Sequence, residues 1–267
     1  DAKAEQLLVK EKVFAAQENP LFTVRHLKKR FQNEEGVNDV SFDICEGEVF
    51  ALAGESGSGK TTLAKILTGL EQPDSGEVFC RGERVDRKNR KRNKNMHGKV
   101  RMIFQDPYSS LNPCMTINEM LTETLRAKEK QIKFDQKERK KDRQRQIEQM
   151  LTRVGLSSLD GKRYPRELSG GQRQKAAIAR ALLLEPELLI CDEAVSSLDA
   201  ATRTQILDLL LRVVKEKKIA CLFISHDMAL IRRISHRTGV LYKGTLAECA
   251  KTRDLCRDPW HPYTKAL

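Results

Sequence analysis

A short glycine-rich segment has the composition and spacing of a phosphate-binding turn. Residues 54–62 read GESGSGKTT, and the interval from Gly54 through Gly59 to Lys60 and Thr61 fits the pattern G-x-x-x-x-G-K-[ST]. A chain without Cβ atoms can curl so that successive backbone N–H groups point inward, toward an anion. Lys60 would then reach the terminal phosphates of a nucleotide, and the Thr61 hydroxyl would bind Mg²⁺.

The residues on either side favour this interpretation over a flexible linker. The run EVFALA before the glycines is short and apolar, as in a buried strand, whereas TLAKILTGL after them has leucine and isoleucine at helical spacing. The glycines therefore occupy a strand-to-helix turn. In such a turn the positive end of the helix dipole faces the phosphate position.

Two adjacent carboxylates follow a second apolar run. LLIC (188–191) immediately precedes Asp192 and Glu193, so both acids are expected where a parallel strand leaves the sheet, the edge at which open α/β folds bind ligands. There an aspartate can hold the Mg²⁺ shell while a glutamate polarises water for attack on a γ-phosphoryl group. Taken alone, the pair fits an exposed acidic loop equally well, but the phosphate turn upstream favours catalysis.

The elements that must position these groups alternate between strands and helices. Residues 22–54 contain the strand-like stretches FTVRHL, VNDVSFDI and EVFALAG, and ELLICDE and ACLFISHD read as buried strands separated by a long helical segment. VRMIFQDP is a strand broken by Pro107, with Gln105 at its C-terminal edge. From about 114 to 166 the pattern is helical and highly charged. The layout is α/β with a helical insert and no internal repeat.

Composition restricts the class of protein further. The chain has 267 residues, 39% of them hydrophobic, no apolar run approaches 18 residues, and the N-terminal DAKAEQLLVKEK is of mixed charge. We therefore expect neither a membrane span nor an export signal. Seven cysteines without a C-x-x-C pair indicate a reduced, cytosolic chain. A metal or iron–sulfur role for Cys249 and Cys256 is the less favoured alternative.

The net charge of +12 comes from two basic stretches. Residues 81–101 hold ten Lys and Arg against two acids, and residues 127–145 hold nine against four. Phe134 is the only aromatic residue in either stretch that could stack on a base. We favour solvated loop and helix faces over attraction to anionic lipid headgroups, and expect no nucleic acid partner.

Several short motifs follow one another in an order that resembles the ATP-binding subunit of an ABC transporter. They are the phosphate turn at 54–62, Gln105, LSGGQ (168–172), LLICDE (188–193), SSLD (196–199) and His226 within ISHD. Three further stretches are similar to the oligopeptide, dipeptide and nickel importer family: FQDPYSSLNP (104–113), DEAVSSLD (192–199) and DPWHPYTKAL (258–267). The wording DEAVS resembles the second (F-type) of two paired ATPase subunits.

This resemblance implies a P-loop NTPase core of ABC ATPase type with an antiparallel β subdomain and a helical subdomain. The expected boundaries are an N-terminal extension at 1–21, an ATP-binding domain at 22–245 with the helical subdomain at about 106–171, and a C-terminal family tail at 246–267. Departures from the family pattern are few. Thr61 replaces the commoner serine, Lys175 stands in a usually Arg-rich helix, and GVLYKGTLAEC (239–249) is a loose version of a late strand pair.

The resemblance also implies how nucleotide and Mg²⁺ are held. The backbone amides of residues 56–61 would wrap the β-phosphate, and Lys60 would neutralise the β- and γ-oxygens. Thr61, Gln105 and Asp192 would hold Mg²⁺, with Asp192 acting through a bound water. The implied nucleotide-binding residues of this chain are Phe31, Gly54, Glu55, Ser56, Gly57, Ser58, Gly59, Lys60, Thr61, Thr62, Ser169, Gly170, Gly171, Gln172 and Asp199.

Catalysis and dimer formation follow from the same comparison. Glu193 would be the general base, His226 would contact the γ-phosphate as a switch, and Gln105 would be a catalytic residue as well as a Mg²⁺ ligand. The signature around Ser169 would grip the γ-phosphate held by a partner subunit, while Asp199 would line the dimer seam. Phe31 would stack on adenine, although a phenylalanine at a strand end is more typical of a core position.

The implied activity is hydrolysis of ATP to ADP and phosphate, coupled to import of peptides or chelated nickel. The implied partners are a second, different ATPase subunit, two membrane-spanning permease subunits and an external substrate-binding protein. The chain would lie at the cytoplasmic face of the inner membrane as a peripheral subunit. Two alternatives stay open at this point: a soluble ABC ATPase acting in translation or DNA repair, and a non-catalytic nucleotide-binding scaffold, against which Glu193 and His226 argue.

Overall fold

The computed structural model describes residues 20–31, 34–85, 99–129 and 136–267. Three sequence predictions fall wholly or partly outside these ranges. They are the N-terminal extension at 1–21, the middle of the basic stretch at 81–101, and part of the basic stretch at 127–145.

The chain divides into two compact units. The first contains Asp1–Met102, Glu187–Glu193 and Val213–Leu267, and the second contains Ile103–Pro186 and Ala194–Arg212. The strands in chain order are β1 (Phe22–Phe31), β2 (Glu34–Ile44), β3 (Val49–Ala53), β4 (Ser75–Cys80), β5 (Glu83–Arg84), β6 (Val100–Ile103), β7 (Leu188–Asp192), β8 (Ala220–Ile224), β9 (Arg237–Tyr242) and β10 (Thr245–Lys251).

The helices likewise run from the phosphate turn to the C-terminal tail. They are α1 (Lys60–Thr68), α2 (Pro107–Ser110), α3 (Ile117–Glu129), α4 (Gln136–Arg153), α5 (Ser158–Gly161), α6 (Gly170–Leu182), α7 (Ala200–Lys217), α8 (Met228–Ile234), α9 (Thr252–Arg257) and α10 (Pro262–Ala266). In the described ranges, no helix has both the length and the apolar character needed to cross a bilayer.

The first unit is built on two sheets. One has four antiparallel strands in the order β2-β1-β4-β5, and the other has six strands in the order β10-β9-β3-β8-β7-β6. Strands β9, β3, β8 and β7 are parallel, and β10 pairs antiparallel with β9. The parallel arrangement brings the C-terminal ends of β3, β7 and β8 to one edge, which is where the predicted site residues follow.

Burial explains why the central strands are continuous apolar runs. Every residue of β3, β7 and β8 is buried, as expected for strands covered on both faces. The rings of Phe42 in β2 and Phe50 in β3 stack with centroids 5.2 Å apart, which joins the two sheets through one core. Burying side chains of this size contributes about 1.5–3 kcal/mol each. Helix α1 packs its apolar face, including Leu63 and Ile66, into the same core.

The loosely patterned segment 239–249 does form the predicted pair of late strands. Tyr242 in β9 is paired with Thr245 in β10, and the two residues between them, Lys243 and Gly244, have φ angles of 44° and 77°. Two successive positive φ angles are typical of the tight turn that suits the twist of an antiparallel hairpin.

The second unit is helical. Helix α3 contacts α4, α5 and α6, and their apolar stripes supply a separate core with Ile117, Leu121, Ile147, Leu151 and Ile178 all buried. Residues 106–171 belong to this unit, which also contains residues up to Pro186 and Ala194–Arg212, and the boundaries of the helical subdomain remain a prediction. The sequence analysis did not predict helix α2. This short helix begins after Asp106, which accepts a hydrogen bond from the Tyr108 amide, and Pro107 occupies its first turn.

Candidate nucleotide site

The phosphate turn leaves β3 and enters α1 through glycines that approach other backbone closely. A Cβ atom at Gly54 (φ 143°) would collide with the carbonyl oxygen of Leu241, and one at Gly59 (φ 101°) would collide with that of Gly36. Only glycine fits both positions, because each combines a positive φ with contact to backbone. The turn is also held from outside, since the Gly244 amide donates to the Ser58 carbonyl over 3.1 Å.

Lys60 lies buried beneath the turn. Its Nζ donates to the carbonyl oxygens of Gly54 (2.8 Å) and Glu55 (2.6 Å) and to the Ser58 hydroxyl (3.2 Å). Burial lowers the pKa of Lys60, and the nearby carboxylates of Glu193, Asp192 and Glu55 oppose that shift. The ammonium is therefore fixed within the loop, and an anionic phosphate could replace some of its three acceptors.

The N-terminus of α1 is suited to an anion. Gly59 is its N-cap in left-handed conformation, no side chain in the described part of the chain caps it, and its first turn carries no acid. The backbone N–H groups of the first turn have no intrahelical acceptor. Together with the helix dipole, they form a positively polarised end beside Lys60.

Thr61 and Asp192 connect the phosphate turn to the end of β7. The Thr61 hydroxyl donates to Asp192 Oδ2 over 2.9 Å, whereas Asp192 Oδ1 is buried and has no hydrogen-bond partner among the described residues. Burial raises the pKa of Asp192, opposed by the Thr61 hydrogen bond. Burying an ionised carboxylate with one oxygen lacking a hydrogen bond is costly. A hard cation bound to that oxygen would offset the cost.

The oxygen atoms of Thr61 and Asp192 suit Mg²⁺ that is shared with substrate phosphates better than a metal held by protein ligands alone. Across the described ranges, no group of three or more His, Cys, Asp or Glu side chains could hold a metal by itself. Mg²⁺ keeps several waters and is bound by one or two protein oxygens together with substrate phosphates. The hydroxyl of Thr61 and the free oxygen of Asp192 match that mode, and both lie beside the phosphate turn.

Glu193 and His226 form the second polar pair at this sheet edge. His226 Nδ1 lies 3.0 Å from Glu193 Oε1, and the side chains are 62% and 20% exposed respectively. Glu193 has a φ of 47°, and its amide donates to the Ile224 carbonyl at the end of β8. A left-handed glutamate costs on the order of 1–3 kcal/mol, a strain typical of residues turned toward a functional site.

Phe31 ends β1 next to the phosphate turn. Its ring is 45% exposed and lies against Gly36, the residue whose carbonyl meets Gly59. Lys29 Nζ lies 5.5 Å from the ring centroid. Phe31 is therefore not part of the core, and almost half of its surface is exposed.

The signature residues lie in the second unit at the start of α6. Ser169 caps the helix by accepting from the Gln172 amide, and the Gln172 side chain accepts from the Ser169 amide, which is a capping box. Gln172 Nε2 also donates to Asp160 over 3.2 Å. At Gly171, a Cβ would lie 2.5 Å from the Thr202 methyl of α7. The Ser169 side chain is exposed, so the start of α6 is open to another molecule.

The two other predicted residues of this unit have distinct settings. Asp199 is exposed and caps α7 by accepting from the Thr202 amide, which lowers the pKa of Asp199. Gln105 is exposed in a bend that follows β6 and precedes α2. The proposed roles of Asp199 at a dimer seam and of Gln105 on the metal remain predictions.

The sequence analysis did not predict two contacts of the site. The Glu193–His226 hydrogen bond links motifs 33 residues apart, and the Tyr263 hydroxyl accepts from the Glu55 amide across 208 residues. The sequence held a signal for the second contact only in the similarity of the terminal HPYT to a family tail. Nothing in its spacing indicates where that tail docks.

Known proteins are similar to this chain along most of its length. The sequence profile of the ABC transporter family matches residues 37–196. The oligopeptide transport ATP-binding protein OppF of Bacillus subtilis (strain 168) is 43% identical over 252 residues, covering 92% of this chain and 81% of OppF. The glutathione import ATP-binding protein GsiA of Escherichia coli (strain K12) is 42% identical, covering 93% of this chain and 40% of GsiA.

Solved structures agree with the fold. The structure of cbiO1 from Clostridium perfringens, part of the ABC transporter complex cbiONQ, has a TM-score of 0.78 at 23% identity and covers 90% of this chain and 92% of cbiO1. The ATP-binding cassette MJ0796, a dimer bound to ADP and Pi, has a TM-score of 0.76 at 26% identity and covers 87% of this chain and 99% of the cassette. The predicted fold class is thereby confirmed.

The profile covers more than half of the chain, and the OppF similarity covers most of both proteins. Family members are ATPases that power transport, which agrees with the acid and phosphate-binding motifs. The chain belongs to the ABC transporter family, as an ATP-hydrolysing ATP-binding subunit of the oligopeptide importer group.

Proposed function

We propose that this chain binds Mg·ATP at the edge formed by the phosphate turn and Asp192, and that its hydrolysis drives peptide import through separate membrane subunits. The observation that carries the proposal is the Thr61–Asp192 hydrogen bond, which leaves one Asp192 oxygen buried and unpartnered beside the buried Lys60. The proposed phosphate-binding turn and the proposed metal-binding acid thus lie in direct contact.

Binding and orientation of the nucleotide fall to the first unit. The amides of residues 56–61 would wrap the β-phosphate. Lys60 would donate to phosphate oxygens in place of the Glu55 carbonyl and the Ser58 hydroxyl, since charge-assisted hydrogen bonds to phosphate are stronger. The Gly54 carbonyl would keep the ammonium oriented. The partly exposed ring of Phe31 would stack on adenine. The contact of Phe31 with Gly36, and of Gly36 with Gly59, places the ring next to the phosphate turn.

Thr61, Asp192 and Gln105 are the residues that would hold Mg²⁺. When bound, the ion neutralises charge that develops on the β- and γ-phosphoryl oxygens. The Thr61 hydroxyl already points at Asp192, so it would turn its lone pairs to the metal with little movement. Burial raises the pKa of Asp192, and a bound cation would offset that shift because it favours the charged carboxylate.

Glu193 would take the proton from the attacking water. Its carboxylate is held by His226 and follows β7 directly, so it would orient a water toward the γ-phosphoryl group. His226 is mostly exposed and would reach the γ-phosphate while it holds Glu193. The pair would therefore sense whether the γ-phosphate is present.

The signature residues would complete the site of a second subunit. Ser169 is exposed at the start of α6, with Gly170, Gly171 and Gln172 in the first turn. A helix N-terminus of this kind binds phosphate well. The dimeric state of MJ0796 with ADP and Pi supports such a shared arrangement. We propose a different ATPase chain as the natural partner, with Asp199 at the seam.

Substrate and location follow from the relatives. OppF is named as an oligopeptide transport protein and GsiA as a glutathione import protein, so we propose peptides rather than chelated nickel as the cargo. Two permease subunits and an external binding protein would complete the importer at the cytoplasmic face of the inner membrane. A role in translation or DNA repair is not favoured by these relatives.

The proposed boundaries of the functional parts are those given by the family pattern. The ATP-binding domain would cover 22–245, with the helical subdomain at about 106–171, between an extension at 1–21 and a tail at 246–267. The core of the first unit, including β3, β7 and β8, falls inside the ATP-binding domain.

The proposal is tested by purification of the tagged chain from detergent-solubilised membranes and identification of the chains that co-purify. We expect a second ATP-binding subunit and two chains with membrane spans. The matched control is the same tag on an unrelated cytosolic ATPase. Recovery of ribosomal or DNA-repair proteins without any membrane chain would contradict the importer assignment.

A further inference from the structure

The C-terminal tail returns to the phosphate turn and is anchored there by a buried acid. Glu248 in β10 is buried, and its two carboxylate oxygens accept from the amides of Trp260 and His261, each over 3.0 Å. His261 then caps α10, since its Nδ1 accepts from the Tyr263 amide over 3.1 Å. These bonds fix the start of α10 relative to the sheet.

Tyr263 is held by packing as well. The centroid of its ring lies 4.3 Å from the ring centroid of Tyr242 at the end of β9. Tyr263 also packs against a small apolar cluster that includes Ala53 and Val240. Ala53 is the last residue of β3 before the phosphate turn. The ring therefore has little freedom to change direction, and its hydroxyl is aimed at the turn.

The hydroxyl contacts one particular peptide unit. Tyr263 Oη accepts from the Glu55 amide over 2.8 Å, and the carbonyl of the same peptide unit, Gly54 O, accepts from Lys60 Nζ over 2.8 Å. A trans peptide is planar, with its N–H and C=O on opposite edges. Tyr263 and Lys60 therefore hold the two edges of one rigid plane.

We propose that Tyr263 is a positioning residue of the nucleotide site, which fixes the Gly54–Glu55 peptide plane and through it the loop acceptor that orients Lys60. The inference rests on the proposed phosphate cradle and adds the tail as one of its supports. Without the hydroxyl, the plane can rotate about its flanking bonds, because Gly54 carries no side chain to restrict it. Burial raises the pKa of Tyr263, so the group that accepts from the amide is a neutral hydroxyl at physiological pH.

The test is Tyr263→Phe in the full-length chain, which keeps the ring and removes only the hydroxyl. The matched control is Thr264→Val. Thr264 is the next residue of the same helix, and its buried Oγ1 has no hydrogen-bond partner in the described ranges. Both variants delete one tail hydroxyl, but only Tyr263→Phe alters the contact with the turn.

Three measurements distinguish a positioning role of the Tyr263 hydroxyl from a general loss of tail stability. They are the Kd for Mg·ATP, amide hydrogen exchange of a peptide covering residues 54–58, and Tm. For Tyr263→Phe we expect Kd to rise about 3- to 10-fold, the range of one lost hydrogen bond, with faster exchange in the turn. In the complex purified from membranes, KM for ATP should rise by the same factor while kcat changes less than about twofold. Thr264→Val should match the wild type in all of these.

Lys60→Ala distinguishes failure of this inference from failure of the proposed site. If Lys60→Ala loses ATP affinity while Tyr263→Phe binds and exchanges like the wild type, the positioning role is wrong and the cradle stands. If both tail variants weaken binding together with a fall in Tm, tail packing and not the hydroxyl is responsible, which also overturns the inference. Wild-type affinity in Lys60→Ala would overturn the cradle and the inference with it.

Discussion

Replacement of Asp192 by asparagine should have two opposite effects on stability, one without nucleotide and one with it. The nucleotide-free protein should become more stable, because the ionised carboxylate is buried at the end of β7 with one oxygen unpartnered among the described residues. The stabilisation that wild-type protein gains from Mg·ATP should largely disappear, because the same oxygen is the proposed link to the metal.

The sign of the first effect follows from the pKa. Burial raises the pKa of Asp192 in the folded chain above its ordinary value of 3.8. The charged form therefore opposes folding at neutral pH, and this opposition vanishes as the pH falls below the unfolded value. Asparagine removes the charge and can still accept from Thr61, but it leaves an amide in place of the free oxygen. The net gain should be about 1 kcal/mol, or about 2–4 °C in Tm.

The second effect is larger. A ligand present at 100 times its Kd stabilises a protein by about 2.7 kcal/mol. In Asp192→Asn, the increase in Tm with Mg·ATP should shrink to the increase seen with ATP and excess chelator. Differential scanning calorimetry of both proteins under four conditions, with and without ATP and with and without Mg²⁺, measures both effects.

Asp160→Asn is the control with the opposite sign. A hydrogen bond from Ser157 lowers the pKa of Asp160, so its charge favours folding and the substitution should lower Tm. The Mg·ATP shift should remain, because Asp160 lies in the second unit and caps α5. The reasoning is refuted if Asp192→Asn keeps the full Mg²⁺-dependent shift, or if it destabilises the nucleotide-free protein as Asp160→Asn does.

Three further substitutions test other parts of the site. Glu193→Gln retains shape but cannot accept the proton, so phosphate release by the membrane complex should fall at least ~10²-fold with ATP binding kept; near wild-type turnover would exclude Glu193 as the base. Ser169→Arg should spare ATP binding to the isolated chain but abolish hydrolysis that rises with subunit concentration; a rate per subunit constant on dilution would refute a shared site. Gly171→Ala places a Cβ 2.5 Å from the Thr202 methyl, so it should lower the free energy of unfolding by about 1–3 kcal/mol in urea titration; an unchanged value would mean that α6 and α7 separate easily.

The parts of the fold that the sequence predicted are those dictated by local pattern. Strands β3, β7 and β8 are unbroken apolar runs because they are covered on both faces, and the phosphate turn is recognisable because only glycine fits its close backbone approaches. Strand β1 is longer than its apolar pattern, since pairing with β2 continues through irregularities to Phe31. Backbone hydrogen bonds between strands do not depend on side-chain polarity, so hydrophobic periodicity does not reveal them.

Contacts between distant segments could not be predicted in the same way. The motif order indicated that Thr61 and Asp192 act together, but not that one Asp192 oxygen would be left buried and unpartnered. The left-handed backbone of Glu193 occurs together with a tertiary hydrogen bond to Ile224, and the contact of Tyr263 with Glu55 joins the C-terminal tail to the phosphate turn. Neither arrangement is fixed by residue type or spacing.

The central claim, that ATP hydrolysis by this subunit drives peptide import, is tested most directly by uptake into vesicles. The complex purified through this chain is reconstituted with its substrate-binding protein, and labelled peptide uptake is measured together with phosphate release for wild-type and Glu193→Gln subunits. We predict that peptide stimulates phosphate release and that uptake and release are lost together in the variant. Peptide uptake that persists in Glu193→Gln at the wild-type rate, or phosphate release that no peptide changes, would contradict the claim.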